Sequence, residues 1–153
     1  MYERILVAVD STPEADEVLA HTARLAVAGG AAVRVLHVQT LDVVDGGGVG
    51  GVVEDETADA AVKVVVSAVD TLKAGGVTNV EGWTEETVRG DVPNAVLDQA
   101  RSFDADLVVL GARRHGGVAS LFLGSVSDSV AHRSVCPVLL IPQSAAPAHT
   151  PIP

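Results

Sequence analysis

Aromatic residues make up only 3% of this 153-residue sequence: one Trp, one Tyr and two Phe. A flavin carrier would usually need aromatic side chains to stack on its ring, so that class finds little support. Cys136 is the only cysteine, so no disulfide can form within the chain, which fits a reducing compartment. With no second thiol, it reads as a small buried residue before Pro137. No apolar run approaches the roughly 20 residues needed to span a bilayer. The opening MYERILVAVD lacks the long apolar stretch and small-residue cleavage site of a signal peptide. A cytoplasmic protein without a membrane or nucleic-acid partner is expected. No lysine follows Lys73, and no G-x-x-x-x-G-K-[ST] loop occurs. Also missing are G-x-S-x-G, H-x-x-E-H and C-x-x-C, and the S-G-G-x-D-S and H-I-G-H signatures of adenylating enzymes. His21, His37, His115, His132 and His149 are scattered over helices, strand, loop and tail, so no metal site is expected. Catalysis is not what these residues advertise.

The chain does have apolar density and lopsided charge. Hydrophobic residues are 48% and charged residues 20%, as in one folded domain with a real core. That domain is expected to span residues 1–143, with a loose Pro- and Ala-rich tail at 144–153. The formal net charge of −10 argues against general DNA or RNA binding. Residues 1–106 hold 7 Lys+Arg against 19 Asp+Glu, a net of −12; residues 107–153 hold Arg113, Arg114 and Arg133 against Asp128, a net of +2. An anion would be best received in that basic island.

Strands and helices alternate. Arg4–Val9 is a continuous apolar run of the kind buried on both faces. A helix follows, with Thr12 as N-cap, Pro13 at its first position and Gly29-Gly30 at its end. Ala32–Val38 reads as a second strand. Asp45–Val53 is rich in glycine, which regular elements accommodate at a cost, and suits a flap or a long surface connection. The next helix places Ala58, Val62, Val65, Val69 and Leu72 on one stripe and stops at Gly75-Gly76. Asn79–Val88 is a more polar, edge-like strand. Asp91 then caps a helix with Val92, Val96 and Ala100 inward. Ala105–Gly111 is a buried strand, Ser125 with Asp128 resembles a capping box for a fourth helix, and CPVLLIP closes the series. Five strands and four helices in βαβα order specify an α/β fold: a doubly wound parallel sheet with helices on both faces.

In such a sheet, ligands bind beyond the C-terminal strand ends where the winding reverses. The candidates are Val9 to Thr12, including Asp10 and Ser11; Val38 to Thr40; and Gly111 onward. The Asp10 carboxylate either accepts a hydrogen bond from a ribose hydroxyl or base amine, or caps a turn. Gly111 permits close approach to the backbone, and Gly124-Ser125 opens a helix whose unpaired amides suit phosphate.

The run DLVVLGARRHGGVASLFLGSVSDSVAHRSVCPVLLIP, with ILVAVD and GDVPNAVLDQA, resembles a single-domain universal stress protein along nearly the whole chain. The resemblance implies an adenine nucleotide alpha hydrolase-like fold, a five-stranded parallel sheet ordered 3-2-1-4-5. It also implies a stress-response regulator that binds ATP, with Mg2+, through a pattern G-x2-G-x9-G-[ST], rather than an enzyme. Gly111, Gly124 and Ser125 fit that pattern, Asp10 is the acid after the first strand, and the Val38 backbone would hold the adenosine. The second glycine position is Arg114. Its guanidinium either meets the phosphates or fills the crevice, which would leave a nucleotide-free interaction module. A homodimer is implied through the last strand: Pro137, Val138, Leu139, Leu140 and Ile141.

Overall fold

The computed structural model describes residues 1–46, 49–54, 56–112 and 124–142, with the backbone alone at 43–46, 49–50, 52–54 and 89. The elements are β1 (Arg4–Ala8), α1 (Ala15–Gly29), β2 (Ala32–Gly46), β3 (Val49–Glu54), α2 (Ala58–Ala74), β4 (Val80–Val88), α3 (Val92–Ser102), β5 (Leu107–Ala112), α4 (Ser125–Arg133) and β6 (Val138–Pro142). Five strands pair in parallel in the order β4-β2-β1-β5-β6, which is 3-2-1-4-5 when only they are counted.

The alternation of a strand decides which layer each side chain joins. Ile5, Val7, Val33, Val35, Leu107 and Val109 point to one face and pack with Leu19 of α1 and Leu72 of α2. Leu6, Leu36, Val108 and Leu110 point to the other and pack with Val96 and Leu97 of α3 and Val130 of α4. The strand starts are tied together by Asp106, whose carboxylate accepts the amides of Glu3 at 2.8 Å and Arg4 at 2.9 Å. Gly30 (φ 66°) and Gly76 (φ 95°) turn the chain out of α1 and α2 in the left-handed region.

Arg34 fastens α3 to this sheet. Its guanidinium lies between the rings of Trp83 (4.9 Å) and Phe103 (4.5 Å). It donates to Glu81 at 2.6 Å, Gln99 at 3.0 Å and Ser102 at 3.1 Å.

The structure corrects several expectations. The glycine-rich segment is not a connection between elements. β2 runs on to Gly46 and β3 returns antiparallel along it, from Leu41↔Glu54 to Gly46↔Val49. The backbone ladder between the two strands overrides the poor strand propensity of the glycines. Gly47 and Gly48, between the arms, lie outside the described residues. Helix α1 begins at Ala15 with Glu14 at the cap position. The Thr12 hydroxyl is spent on Asp10, at 2.5 Å, and the Thr12 carbonyl accepts Ala15 N–H in a tighter turn. Gly124, not Ser125, caps α4, its carbonyl accepting the Asp128 amide at 2.9 Å. On α2, Ala61 and Ala68 are buried, whereas Val62 is 50% exposed. Cys136 is half-buried, beside Ser134.

Candidate functional site

The register places the expected residues side by side. Ala8 pairs with Leu36 and Val7 with Val109. Carried past the last paired residues, this sets Asp10 level with Val38 and Gly111 level with Val9. Adjacent strands are about 4.8 Å apart, so the three sit at neighbouring levels near the C-terminal ends of β1 and β5. Here the winding reverses, β2 lying on one side of β1 and β5 on the other. Leu36 accepts the Val9 amide at 2.9 Å. Its carbonyl therefore faces β1, and so does the backbone of Val38, two residues on.

Asp10 is fixed by its own loop: Oδ1 accepts the Thr12 amide at 3.0 Å as well as the Thr12 hydroxyl. Both functions weighed for it are compatible, because a carboxylate that orders a turn keeps further acceptor capacity. Ser11 beside it is exposed.

Helices of this fold run antiparallel to the strands, so the N-terminus of α4 sits at the same end as Asp10 and Gly111. Its first amides, from Ser125 on, carry the positive end of the helix dipole. The Ser127 hydroxyl donates to Gly124 O at 3.0 Å and holds the entry turn. Arg114 lies outside the described residues, as do Gln143 and the expected tail at 144–153.

Composition and motif reasoning missed one buried polar cluster. His37 and Gln39 are 5% and 4% exposed. The His37 Nδ1–H donates to Val9 O at 2.8 Å, and Nε2 meets Glu56 Oε2 at 2.7 Å. The Gln39 amide donates to the Glu56 carbonyl. A backbone carbonyl only accepts, so Nδ1 carries a proton, and the contact between Nε2 and Oε2 contains a second. The cluster ties the residue before the α2 cap, Thr57, to the end of β1. Leu41 pairs with Glu54 of β3 and with Val88 of β4. These must lie on opposite sides of β2, so β3 returns on the β1 side, beyond the end of β1. The signal in the sequence was two polar residues spaced by two inside an apolar strand, which puts both on one face.

Among the described residues, no group of three His, Cys, Asp or Glu is placed to hold a metal ion. No helix there is long and apolar enough to cross a membrane. The geometry is that of a doubly wound α/β protein whose switch point has an acid, Asp10, after β1, the Val38 backbone partway along β2, and a helix N-terminus at the same end of the sheet.

Comparison with known proteins agrees. The family model "Universal stress protein family" matches residues 1–142, and the chain belongs to that family. It is 29% identical over 145 residues to Universal stress protein A homolog 1 of Coxiella burnetii, covering 92% of this chain and 96% of that one. It is similar to the solved structure of a universal stress protein from Archaeoglobus fulgidus, with 31% identity and a TM-score of 0.68 over 92% of this chain and 98% of that chain. It also resembles the structure of the universal stress protein from the same organism in complex with dAMP, at 30% identity and a TM-score of 0.63, covering 91% and 97%.

Proposed function

We propose that this chain is a cytoplasmic stress-response regulator that binds an adenine nucleotide, ATP with Mg2+, in the crevice between β1 and β5. It acts as a sensor rather than a turnover enzyme. The observation that carries this is the alignment of Asp10, Val38 and Gly111 at one sheet end, with the α4 N-terminus at that same end. A ribose hydroxyl would donate to the Asp10 carboxylate, and the Val38 backbone would take the base edge. The amides from Ser125 on, with its hydroxyl, would meet phosphate oxygens. The dAMP complex of a relative at 30% identity supports this choice of ligand.

A second reading rests on Arg114, which stands where the family pattern has glycine. If it fills the crevice, the protein is a nucleotide-free dimeric module. In either form we place the homodimer contact on β6 and the adjoining Pro137. There Val138, Leu139 and Leu140 are half-buried and Ile141 is buried, on a strand with no charged residue. The outer side of β6 pairs with no strand among the described residues.

Calorimetric titration with Mg-ATP, for the native chain and Arg114→Gly, decides between them. Micromolar binding that weakens in the variant makes Arg114 a phosphate ligand. Binding that arises only in Arg114→Gly makes it a plug. No binding by either, up to millimolar ATP, overturns the nucleotide reading.

A further inference from the structure

Helix α2 shows two very different sides. Ala61, Val65, Ala68 and Leu72 are buried against the sheet, while Val62 and Val66 are 50% and 53% exposed, one turn apart. Shallow grooves of about 450 and 540 Å³ flank this pair, one reaching Gly82–Thr84 of β4, the other Ser67 and Thr71. The helix is firmly seated. A Cβ on Gly82 would lie 2.3 Å from Val65 Cγ1, so α2 presses directly on β4 and its outer ridge is set before any partner arrives.

Four exposed charges share the ridge: Asp59, Lys63, Asp70 and Lys73. Among the described residues none of them takes part in an ion pair. Asp59 and Lys73 stand seven residues either side of Val66, with Lys63 three before it and Asp70 four after. At 3.6 residues per turn, all four fall on the same stripe as the two valines. Now let a second α2 lie antiparallel across a twofold axis through Val66. Asp59 meets Lys73 of the second copy on both sides of the axis, Lys63 comes level with Val69 and Asp70 with Val62, and the two Val66 side chains face each other. The two outer rows pair unlike charges and the inner charges face valines, whereas a parallel arrangement sets like against like.

We propose that this ridge is a self-association surface, occupied by the antiparallel α2 of a second copy of the same chain. The ridge has no net charge within a chain of net charge −10. Copies can therefore approach here without the self-repulsion felt over the rest of the surface. A single 17-residue helix offers less than the roughly 1,600 Å² of a standard interface. The association is therefore weak and concentration-dependent, and it is distinct from the sheet edge at β6.

The test uses the full chain carrying Cys136→Ser, with one new thiol at Val66→Cys or, as a control on α3, at Asp98→Cys. Helices packed at about 8–10 Å bring facing Cα atoms into disulfide range. Mild oxidation should link Val66→Cys into dimers at least tenfold faster than Asp98→Cys. Adding Lys73→Glu or Asp59→Lys should each abolish that advantage. The double exchange Asp59→Lys/Lys73→Glu should restore it at unchanged net charge. Sedimentation velocity of the same charge variants without the new thiol should follow the same order. Equal cross-linking at positions 66 and 98, or failure of the double exchange to restore it, overturns the proposal.

Discussion

Replacing Gly82 with alanine tests whether α2 rests on β4 as closely as described. The new Cβ would lie 2.3 Å from Val65 Cγ1 and 3.3 Å from Val69 Cγ2, where carbon atoms normally rest about 3.5–4.0 Å apart. Val65 is 6% exposed, and a helical valine strongly prefers one χ1 rotamer, so its methyl cannot swing away cheaply. The helix must lift or the strand must bow. Overpacking of this kind costs about 1–3 kcal/mol. Glycine to alanine recovers about 0.4–1 kcal/mol through the unfolded chain. The net expectation is a loss of about 1–2 kcal/mol, or roughly 2–8 °C in melting temperature for a domain of this size. Urea unfolding followed by the fluorescence of Trp83, the sole tryptophan, measures it directly. In a Val65→Ala background the same substitution should be neutral or stabilising, a coupling of about 1 kcal/mol or more. A Gly82→Ala protein as stable as the parent, with no coupling to Val65, would refute the close seating of α2.

Two further substitutions probe the clusters on either face of the sheet. Arg34→Ala should cost about 2 kcal/mol, from its ring contacts and its hydrogen bonds to Gln99 and Ser102, and should red-shift Trp83 emission. Arg34→Lys should recover less than half of this, because an ammonium lacks the planar fork; full recovery would refute the assigned geometry. Glu56→Ala leaves the buried His37 Nε2 without its partner and should cost about 1–3 kcal/mol. Amide exchange across 41–54 should rise at least tenfold, and unchanged exchange there would mean that the cluster does not secure the hairpin.

The parallel sheet was legible because Arg4–Ala8, Ala32–Val38 and Leu107–Leu110 are apolar on both faces and separated by helices with clear glycine stops. Strand order was accessible only through the family resemblance, since short buried strands of similar composition carry little information about which lies beside which. The extension of β2 was hidden because local glycine propensity opposed it, and only pairing with β3, a non-local term, made it a strand. Asp10, Val38 and Gly111 were singled out by the rule for switch points, and the strand register sets them at neighbouring levels. His37 and Glu56 escaped because a single histidine in a strand and a glutamate before a helix have no fixed spacing. Their contact exists only once the hairpin has folded back.

The two outer strands of the sheet have opposite chemistry. β4 carries Glu81, Glu85 and Glu86, whereas β6 carries no charge. A molecule with one adhesive rim and one repellent rim cannot grow indefinitely by edge addition. Two copies joined at β6, as proposed, would have no second uncharged rim left and would present the glutamate-bearing β4 at both ends, where like charges oppose the next strand. On the proposed β6 contact, the acidic strand would act as a chain terminator, closing the sheet at two subunits and blocking an inherent route to fibrils.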